Sequence, residues 1–275
     1  MKWQKYVLAK AALFFSLLTV SIGVNALPMG YGVDRLGDFY TIDLTTGVST
    51  FIGHSGIDSP DNEIVEGLAM NGGGELYATT SLGKLYSVNS SSGTFNLIGD
   101  TGRGNIEGLD FHDSELLGIE FDNIFGGVTG PQHVFSINLD SAVTTNIVTL
   151  SRDDILLTSA MTVKDESTAF FVGALNEGTS SLFSLDLGSG ATSLIGNLTD
   201  FVGGLDFAAD GILYGLGDAG SVVRIDPVTA ATTPVGSTGS QLWLALTTYS
   251  VPEPGSVVLL VVGLAGLMVV RLRRC

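Results

Sequence analysis

The chain has 275 residues, enough for one large domain or two small ones, and twelve Lys and Arg against 28 Asp and Glu give a formal net charge of −16. Six of the basic residues lie in the first ten or the last five positions, whereas all the acidic residues lie between them. This acidic middle excludes a protein that binds the phosphate backbone of nucleic acid, and it suits divalent cations or cationic partners. Cys275 is the only cysteine, so an apolar core rather than a disulfide must stabilise the fold.

The first 26 residues are typical of an export signal. Lysines in the first ten residues precede the apolar stretch "AALFFSLLTVSIGV", which leads into the small and modest residues of Val24-Asn25-Ala26. A buried helix of the fold is the alternative, but the polar, glycine-rich sequence that follows favours export. We therefore predict a signal peptide at residues 1–26, with cleavage after Ala26.

The sequence that follows is repetitive. An alternating apolar phrase that ends in Asp or Asn returns at intervals of 46, 49, 48 and 40 residues. Its copies are "FYTID" (39–43), "LYSVN" (85–89), "VFSIN" (134–138), "LFSLD" (182–186) and "VVRID" (222–226). The alternation indicates β-strands, and the nearly constant interval indicates a recurring structural unit.

A glycine follows most of these phrases at a fixed distance. Gly53, Gly99, Gly196 and Gly236 each lie ten residues after the Asp or Asn that ends the phrase. Turn residues such as "DLTTG" lie between them, where an Asp or Asn side chain can hydrogen-bond its own backbone and a glycine can adopt positive φ. We therefore predict a hairpin in each unit. The third copy, "NLDSAVTTNIVTL", keeps the strand but lacks the glycine.

Two further phrases complete the unit. One is "EGLAM" (66–70), "EGLDF" (107–111) and "GGLDF" (203–207), with the looser "SAMTV" (159–163) and "WLALT" (243–247). The other is "ELYAT" (75–79), "ELLGI" (115–119), "AFFVG" (169–173) and "ILYGL" (212–216). Each unit is thus four strands with apolar residues on both faces, as in the stacked blades of a propeller.

Strands from the two ends of the repeat region supply one more unit. "LWLALTTY" provides an innermost strand, and "MGYGVD", "FYTID" and "TFIG" provide the other three. We therefore predict an all-β, five-bladed β-propeller over residues 27–250, closed by N- and C-terminal strands. A β-sandwich is the alternative, but it does not explain a four-phrase unit that recurs in this way.

Two patterns in this region resemble binding motifs, one for a dinucleotide and one for zinc, but neither has the features that such a site requires. "GLGDAG" (215–220) has the spacing of a dinucleotide-binding loop, but a strand rather than a helix follows it, so we predict a hairpin turn. His54, His112 and His133 fall in different units, which disfavours a zinc site.

Two acidic residues are the candidate metal ligands. Glu66 and Glu107 occupy the same position in successive units, at the start of the innermost strand, where they would line the central channel. Calcium is the ion that they would hold, and the alternative is a strand-capping or solvent-exposed role. Ser159 and Gly203 occupy the equivalent positions in other units and offer no carboxylate, so we otherwise expect no cofactor and no catalytic residue.

The end of the chain combines three features in a fixed order. Pro252-Glu253-Pro254 precedes fourteen uncharged, mainly apolar residues (257–270), after which come Arg271, Arg273 and Arg274. The apolar run would span about 21 Å as a helix at ~1.5 Å per residue. We therefore predict a transmembrane helix whose arginine end lies in the cytoplasm.

This order resembles the PEP-CTERM sorting signal of Gram-negative bacteria over residues 251–275, and a signal peptide is its expected companion. The resemblance implies an exosortase-type sorting protease as partner and transient anchoring in the inner membrane. It also implies delivery to the cell surface or into an extracellular polysaccharide matrix such as that of a biofilm. An ordinary single-span anchor is the alternative. The repeats are similar to those of bacterial propeller proteins with "LYxID" phrases, a broad likeness that implies no ligand.

The sequence thus predicts an exported surface or matrix protein whose propeller is a non-enzymatic interaction module. Its expected partners are an extracellular polysaccharide or a surface protein, and nucleic acid is excluded. The alternative is a secreted, calcium-dependent lactonase or hydrolase that uses the channel. Such an enzyme needs several converging oxygen ligands, and only Glu66 and Glu107 align there.

Overall fold

The computed structural model describes residues 27–57, 63–121, 132–175, 180–239 and 242–251. Leu27–Val251 forms one compact unit built from β-strands. In this described part of the chain, no helix has the length and apolar character needed to cross a membrane. The predicted signal peptide and the predicted transmembrane helix lie outside the described residues.

The strands, numbered in chain order, form five antiparallel sheets of four strands each. Their bounds are β1 Leu27–Asp34, β2 Asp38–Asp43, β3 Ser49–His54, β4 Val65–Met70, β5 Leu76–Thr80, β6 Lys84–Val88, β7 Phe95–Asp100, β8 Asn105–His112, β9 Glu115–Phe121, β10 His133–Ile137, β11 Thr144–Thr149, β12 Leu157–Val163, β13 Thr168–Ala174, β14 Ser180–Asp186, β15 Thr192–Asn197, β16 Val202–Phe207, β17 Leu213–Gly217, β18 Ser221–Ile225, β19 Thr232–Ser237 and β20 Trp243–Val251.

The sheets are the five predicted blades. Blade 1 has the strand order β20-β1-β2-β3, and blades 2 to 5 are β4–β7, β8–β11, β12–β15 and β16–β19. The first strand of each blade packs against the first strands of two neighbouring blades, so these inner strands form a closed ring around a channel. β20 pairs with β1 from Leu27 opposite Val251 to Asp34 opposite Trp243. The five-bladed fold, closed by N- and C-terminal strands, is therefore confirmed.

Apolar side chains fill the spaces between the blades. Five buried clusters each join two neighbouring blades; in one of them, Val33 and Phe39 of blade 1 pack with Leu68 and Tyr86 of blade 2. Each sheet is thus covered on both faces, which explains why its strands carry apolar residues on both sides.

The repeated glycines lie where the outer strand of one blade meets the hairpin of the next. A Cβ atom on Gly53 of blade 1 would lie 2.0 Å from the backbone oxygen of Ser92 in the hairpin of blade 2, and Gly236 of blade 5 is equally close to the hairpin of blade 1. In blade 3 Val148 replaces the glycine, and there the hairpin of blade 4 presents Gly190. The fixed spacing of the two phrases therefore reflects the contact between blades.

The structure corrects one repeat alignment. Every inner strand contains a β-bulge residue that has no partner on the second strand. In blades 2 to 5 this residue is Glu66, Glu107, Ser159 and Gly203 in turn. In blade 1 it is Leu244, because Trp243 pairs with Asp34 and Ala245 with Val33. The fifth copy is therefore 244–248, and "WLALT" (243–247) was wrong by one residue because an unbroken apolar run does not mark where a bulge lies.

Candidate functional site: the central channel

Small residues on the inner strands bring the blades close together around the channel. A Cβ atom on Gly108 would lie 2.6 Å from the backbone nitrogen of Met161, and one on Gly204 would lie 2.7 Å from that of Leu246. The space open to the centre of a water molecule is about 10 Å³, which is room for roughly one water. The pocket between the described inner strands therefore has room for about one water molecule.

Glu66 and Glu107 lie together at one end of this channel, as the sequence predicted. Both are bulge residues, on β4 and β8, and both line the space between the inner strands. A bulge redirects the side chain of the extra residue, so the repeated bulge is the physical reason why these two side chains meet. We call Glu66, Glu107 and the neighbouring Asn105 the mouth cluster.

The two carboxyl groups of the mouth cluster are hydrogen-bonded to each other. Burial, followed by the negative charge of Glu66, raises the pKa of Glu107 well above its usual range. Burial also raises the pKa of Glu66, against the lowering effect of its hydrogen bonds and of the Arg35 charge. Since a carboxylate cannot donate a hydrogen bond, one member of the pair holds a proton.

The mouth cluster accommodates a proton better than calcium. Calcium takes six to eight oxygen ligands, whereas the bulge positions supply only two carboxyl groups and the Ser159 hydroxyl, which donates to the Val202 carbonyl at 2.8 Å. Among the described residues, no group of three or more His, Cys, Asp and Glu side chains could surround a metal ion. Asn105 donates from Nδ2 to Glu107 Oε1 at 2.5 Å, while its buried Oδ1 has no partner in the described part of the chain.

A second carboxyl cluster, which the sequence did not predict, lies three residues further along the inner strands. Its core is Asp110 on β8, Thr162 on β12 and Asp206 on β16. Thr162 Oγ1 lies 3.0 Å from Asp110 Oδ2 and 2.9 Å from Asp206 Oδ1. The backbone N–H of Val163 donates to Asp110 Oδ2 and that of Thr248 donates to Asp206 Oδ2, each at 2.6 Å. We call these residues the lower cluster.

Both carboxyl groups of the lower cluster resist ionisation. Burial, followed by the charge of Asp206, raises the pKa of Asp110 well above its usual range. Burial raises the pKa of Asp206 to about 6, although hydrogen bonds from Thr248 and Thr162 oppose it. A signal for this cluster was present in the sequence, since "GLDF" places an Asp among apolar residues of two inner strands, but single strands do not show which residues face each other across the channel.

The other predicted motifs are the glycine-rich segment, the histidines and the residues at the two ends of the chain. The "GLGDAG" segment (215–220) comprises the end of β17 and a 3₁₀ turn at Asp218–Gly220, and β18 follows it at Ser221, which confirms the turn. His54 ends β3 in blade 1, whereas His112 ends β8 and His133 begins β10, both in blade 3. The prediction that the three histidines fall in different units was therefore wrong for this pair, because β8 and β10 belong to one four-stranded sheet. The predicted cleavage residue Ala26, the motif Pro252-Glu253-Pro254 and the arginines 271, 273 and 274 lie outside the described residues, and β20 ends at Val251, directly before the motif.

The end of the chain matches a known family. Residues 250–274 match the family described as PEP-CTERM protein-sorting motif, so the chain carries this motif, as its resemblance implied. No curated protein matches the sequence.

Solved structures resemble this chain at low sequence identity. A chain from the crystal structure of a nidogen/laminin complex has a TM-score of 0.53 and 12% identity, with 80% of this chain and 98% of that chain covered. A putative 6-phosphogluconolactonase from Bacteroides fragilis has a TM-score of 0.46 and 11% identity, with 83% and 99% covered. A gluconolactonase from Xanthomonas campestris has a TM-score of 0.46 and 12% identity, with 84% and 78% covered. At these identities the likeness concerns the fold alone.

Proposed function

We propose that this five-bladed propeller, which carries a PEP-CTERM sorting motif, is an exported protein that acts at the cell surface or in the extracellular matrix as a non-enzymatic interaction module. An exosortase-type protease would recognise Pro252-Glu253-Pro254 and separate the propeller from its apolar tail. The signal peptide at residues 1–26 would start export. The match of residues 250–274 to the sorting family is the observation that carries this proposal.

The position of the motif relative to the closing strand supports removal of the tail without damage to the fold. The five sheets, the apolar clusters and the closed ring are complete within Leu27–Val251. A cut after Val251 would leave β20 intact, whereas a cut inside β20 would remove residues that pair with β1. A proline has no backbone N–H for a strand ladder and disfavours a helical residue before it, so we expect the motif to be accessible to a protease.

The channel supports an interaction role over the enzymatic alternative. Its free space of about 10 Å³ is close to that of one water molecule, and the mouth cluster uses its carboxyl groups to bind each other. A calcium-dependent lactonase or hydrolase would need a wider cleft and more oxygen ligands there. The acidic exterior suits a cationic partner or a divalent cation that bridges to an acidic polysaccharide.

The sorting motif is tested by changing it without changing the propeller. Replacement of Pro252, Glu253 and Pro254 by alanine should leave signal-peptide removal intact but hold the protein in the membrane fraction at its uncut size. The apolar tail would retain it there, because exposing a buried apolar helix to water costs about 25 cal/mol per Å². Immunoblots of membrane, periplasmic and extracellular fractions measure the outcome.

Deletion of residues 252–275 is the matched control. This variant keeps β20 and should give a soluble, folded propeller that is exported across the inner membrane but does not reach the surface or the matrix. If the alanine variant were still trimmed and still delivered, the tail would be an ordinary anchor and the proposal would be wrong.

A further inference from the structure

The lower cluster links most of the ring, including the strand that closes it. Asp110 of blade 3 contacts Thr162 and Val163 of blade 4, and Asp206 of blade 5 contacts Thr162 on one side and Thr248 of blade 1 on the other. Thr248 also donates from its hydroxyl to the Phe207 carbonyl at 3.0 Å. The chain of contacts therefore runs from blade 3 through blades 4 and 5 to blade 1, where β20 completes the ring.

The geometry requires a proton that the side chains share. Thr162 has one hydroxyl hydrogen, yet its oxygen lies within hydrogen-bond distance of a carboxyl oxygen on each side. Two ionised carboxylates would leave one of these contacts without a hydrogen, between buried negative groups. With a proton on Asp110, its O–H donates to Thr162 Oγ1, whose own O–H donates to Asp206, and every contact is satisfied.

Several other titratable groups on the surrounding strands have contacts of their own. The Tyr214 hydroxyl on β17 donates to Asp210 Oδ2 at 3.2 Å, and Lys164 beyond β12 lies over the Phe170 ring. Tyr249 on β20 stacks on Tyr31, and Tyr77 on β5 contacts the Phe111 ring. His112, two residues after Asp110 on β8, lies opposite Glu115 of β9 in the strand register, and its buried Nε2 has no hydrogen-bond partner in the described part of the chain. The charge that raises the pKa of Asp110 is that of Asp206.

We propose that the lower cluster is a proton-linked clasp, which holds the ring closed more tightly in acid and releases part of that stabilisation as the surroundings become alkaline. In the acid form Asp110 donates its proton through Thr162 to Asp206, and the clasp is complete. Loss of that proton leaves two negative charges, on the half-buried Asp110 and the buried Asp206, on either side of one hydroxyl. An exported propeller is exposed to the pH of its surroundings, so its stability would follow that pH.

The direction of the effect follows from the raised pKa values. Both carboxyl groups are harder to ionise in the folded chain than in the unfolded chain, so the folded state binds more protons. The contribution of the lower cluster to the free energy of unfolding is complete below the usual pKa of a carboxyl group. It declines as the pH rises through the pKa of Asp206, about 6, and then through that of Asp110.

Urea unfolding of the propeller, residues 27–251, tests the clasp, because this unit contains its own core and ring closure. The urea midpoint of the wild type should be lower at about pH 8 than at about pH 5. Asp110→Asn carries no charge at either pH and should reduce this difference by at least about half. Asp113→Asn is the matched control: Asp113 is exposed and has φ 55, a conformation that Asn adopts readily, so the difference should stay at the wild-type value.

Two further measurements decide the case if Asp110→Asn does not fold. Asp206→Asn should also reduce the difference between the urea midpoints at the two pH values. Glu107→Gln, in the mouth cluster, should leave the lower cluster's contribution to that difference unchanged. The infrared spectrum of the folded wild type near pH 7 should contain a protonated carboxyl band that weakens in whichever lower-cluster variant folds. A pH difference that persists unchanged in these variants, or a carboxyl band unaffected by them, would overturn the clasp.

Discussion

Each end of the channel contains a pair of carboxyl groups, but the two pairs are joined in different ways. In the mouth cluster, Glu66 and Glu107 lie on adjacent blades at bulges and hydrogen-bond directly. In the lower cluster, Asp110 and Asp206 lie two blades apart, on regular strand positions, and Thr162 joins them. The separation of the two carboxyl groups around the ring therefore decides how many blades each cluster joins: the direct pair joins two blades, whereas the bridged pair joins four and includes β20.

The largest expected effect separates the two clusters through the closing strand. Deletion of residues 243–251 removes Thr248 from the lower cluster and the partner of β1, but it leaves both residues of the mouth pair in the chain. We expect loss of cooperative unfolding or aggregation, because two blade faces and a strand edge become exposed. Thermal unfolding and size-exclusion chromatography measure this. A shortened domain that melts as sharply as the intact one, at a similar temperature, would contradict closure by β20.

A smaller effect is expected from the glycines that lie between the two clusters. In Gly108→Ala the new methyl group would lie 2.6 Å from the Met161 backbone nitrogen, so β8 and β12 must separate, which affects both ends of the channel. We expect a loss of about 1–3 kcal/mol in the free energy of unfolding, the usual range for overpacking.

Gly67→Ala is the matched control for this substitution. Its new methyl group would meet side-chain atoms of Thr79 and Leu109, and β4 takes no part in the contacts of the lower cluster. It should also destabilise in urea unfolding, because its Cβ would lie 2.3 Å from Thr79 Oγ1, but it should leave the pH dependence of stability unchanged. A changed pH dependence in Gly67→Ala would show that the lower cluster also depends on the position of β4.

The smallest expected effect is the response of the mouth cluster to calcium. A ligand that binds the folded state raises the melting temperature by mass action. We expect no rise at about millimolar Ca²⁺, because the pair satisfies itself with a proton and supplies too few oxygen ligands. The double variant Glu66→Gln, Glu107→Gln is the control. A rise in the wild type that disappears in this variant would assign a metal site to the mouth and favour the enzymatic alternative.

Much of the fold could be predicted because each blade repeats local chemistry. The alternating strands, the Asp or Asn turns and the glycine ten residues later recur in the sequence because every blade meets the next in the same way. The third copy has Val148 in place of this glycine. The facing hairpin there carries Gly190, which has no side chain and so leaves room for Val148. The signal peptide and the membrane helix remain predictions.

The candidate site was predictable only in part. Glu66 and Glu107 stood out because they share one position in neighbouring copies, and adjacent copies become adjacent blades. The bulge that directs them into the channel left no mark in the sequence, and an apolar run hid the same bulge at Leu244.

The repeat, the number of blades and the sorting motif could be predicted from the sequence, because they depend on residues close together in the chain or on equivalent positions in successive copies. The side chains that meet across the ring could not be predicted, because their contacts depend on how the blades pack together. Asp110 and Asp206 are nearly a hundred residues apart and contact one hydroxyl because blades 3, 4 and 5 converge on the channel axis. Their shared proton is likewise a tertiary property, because burial and the neighbouring charge, rather than residue type, raise the pKa values.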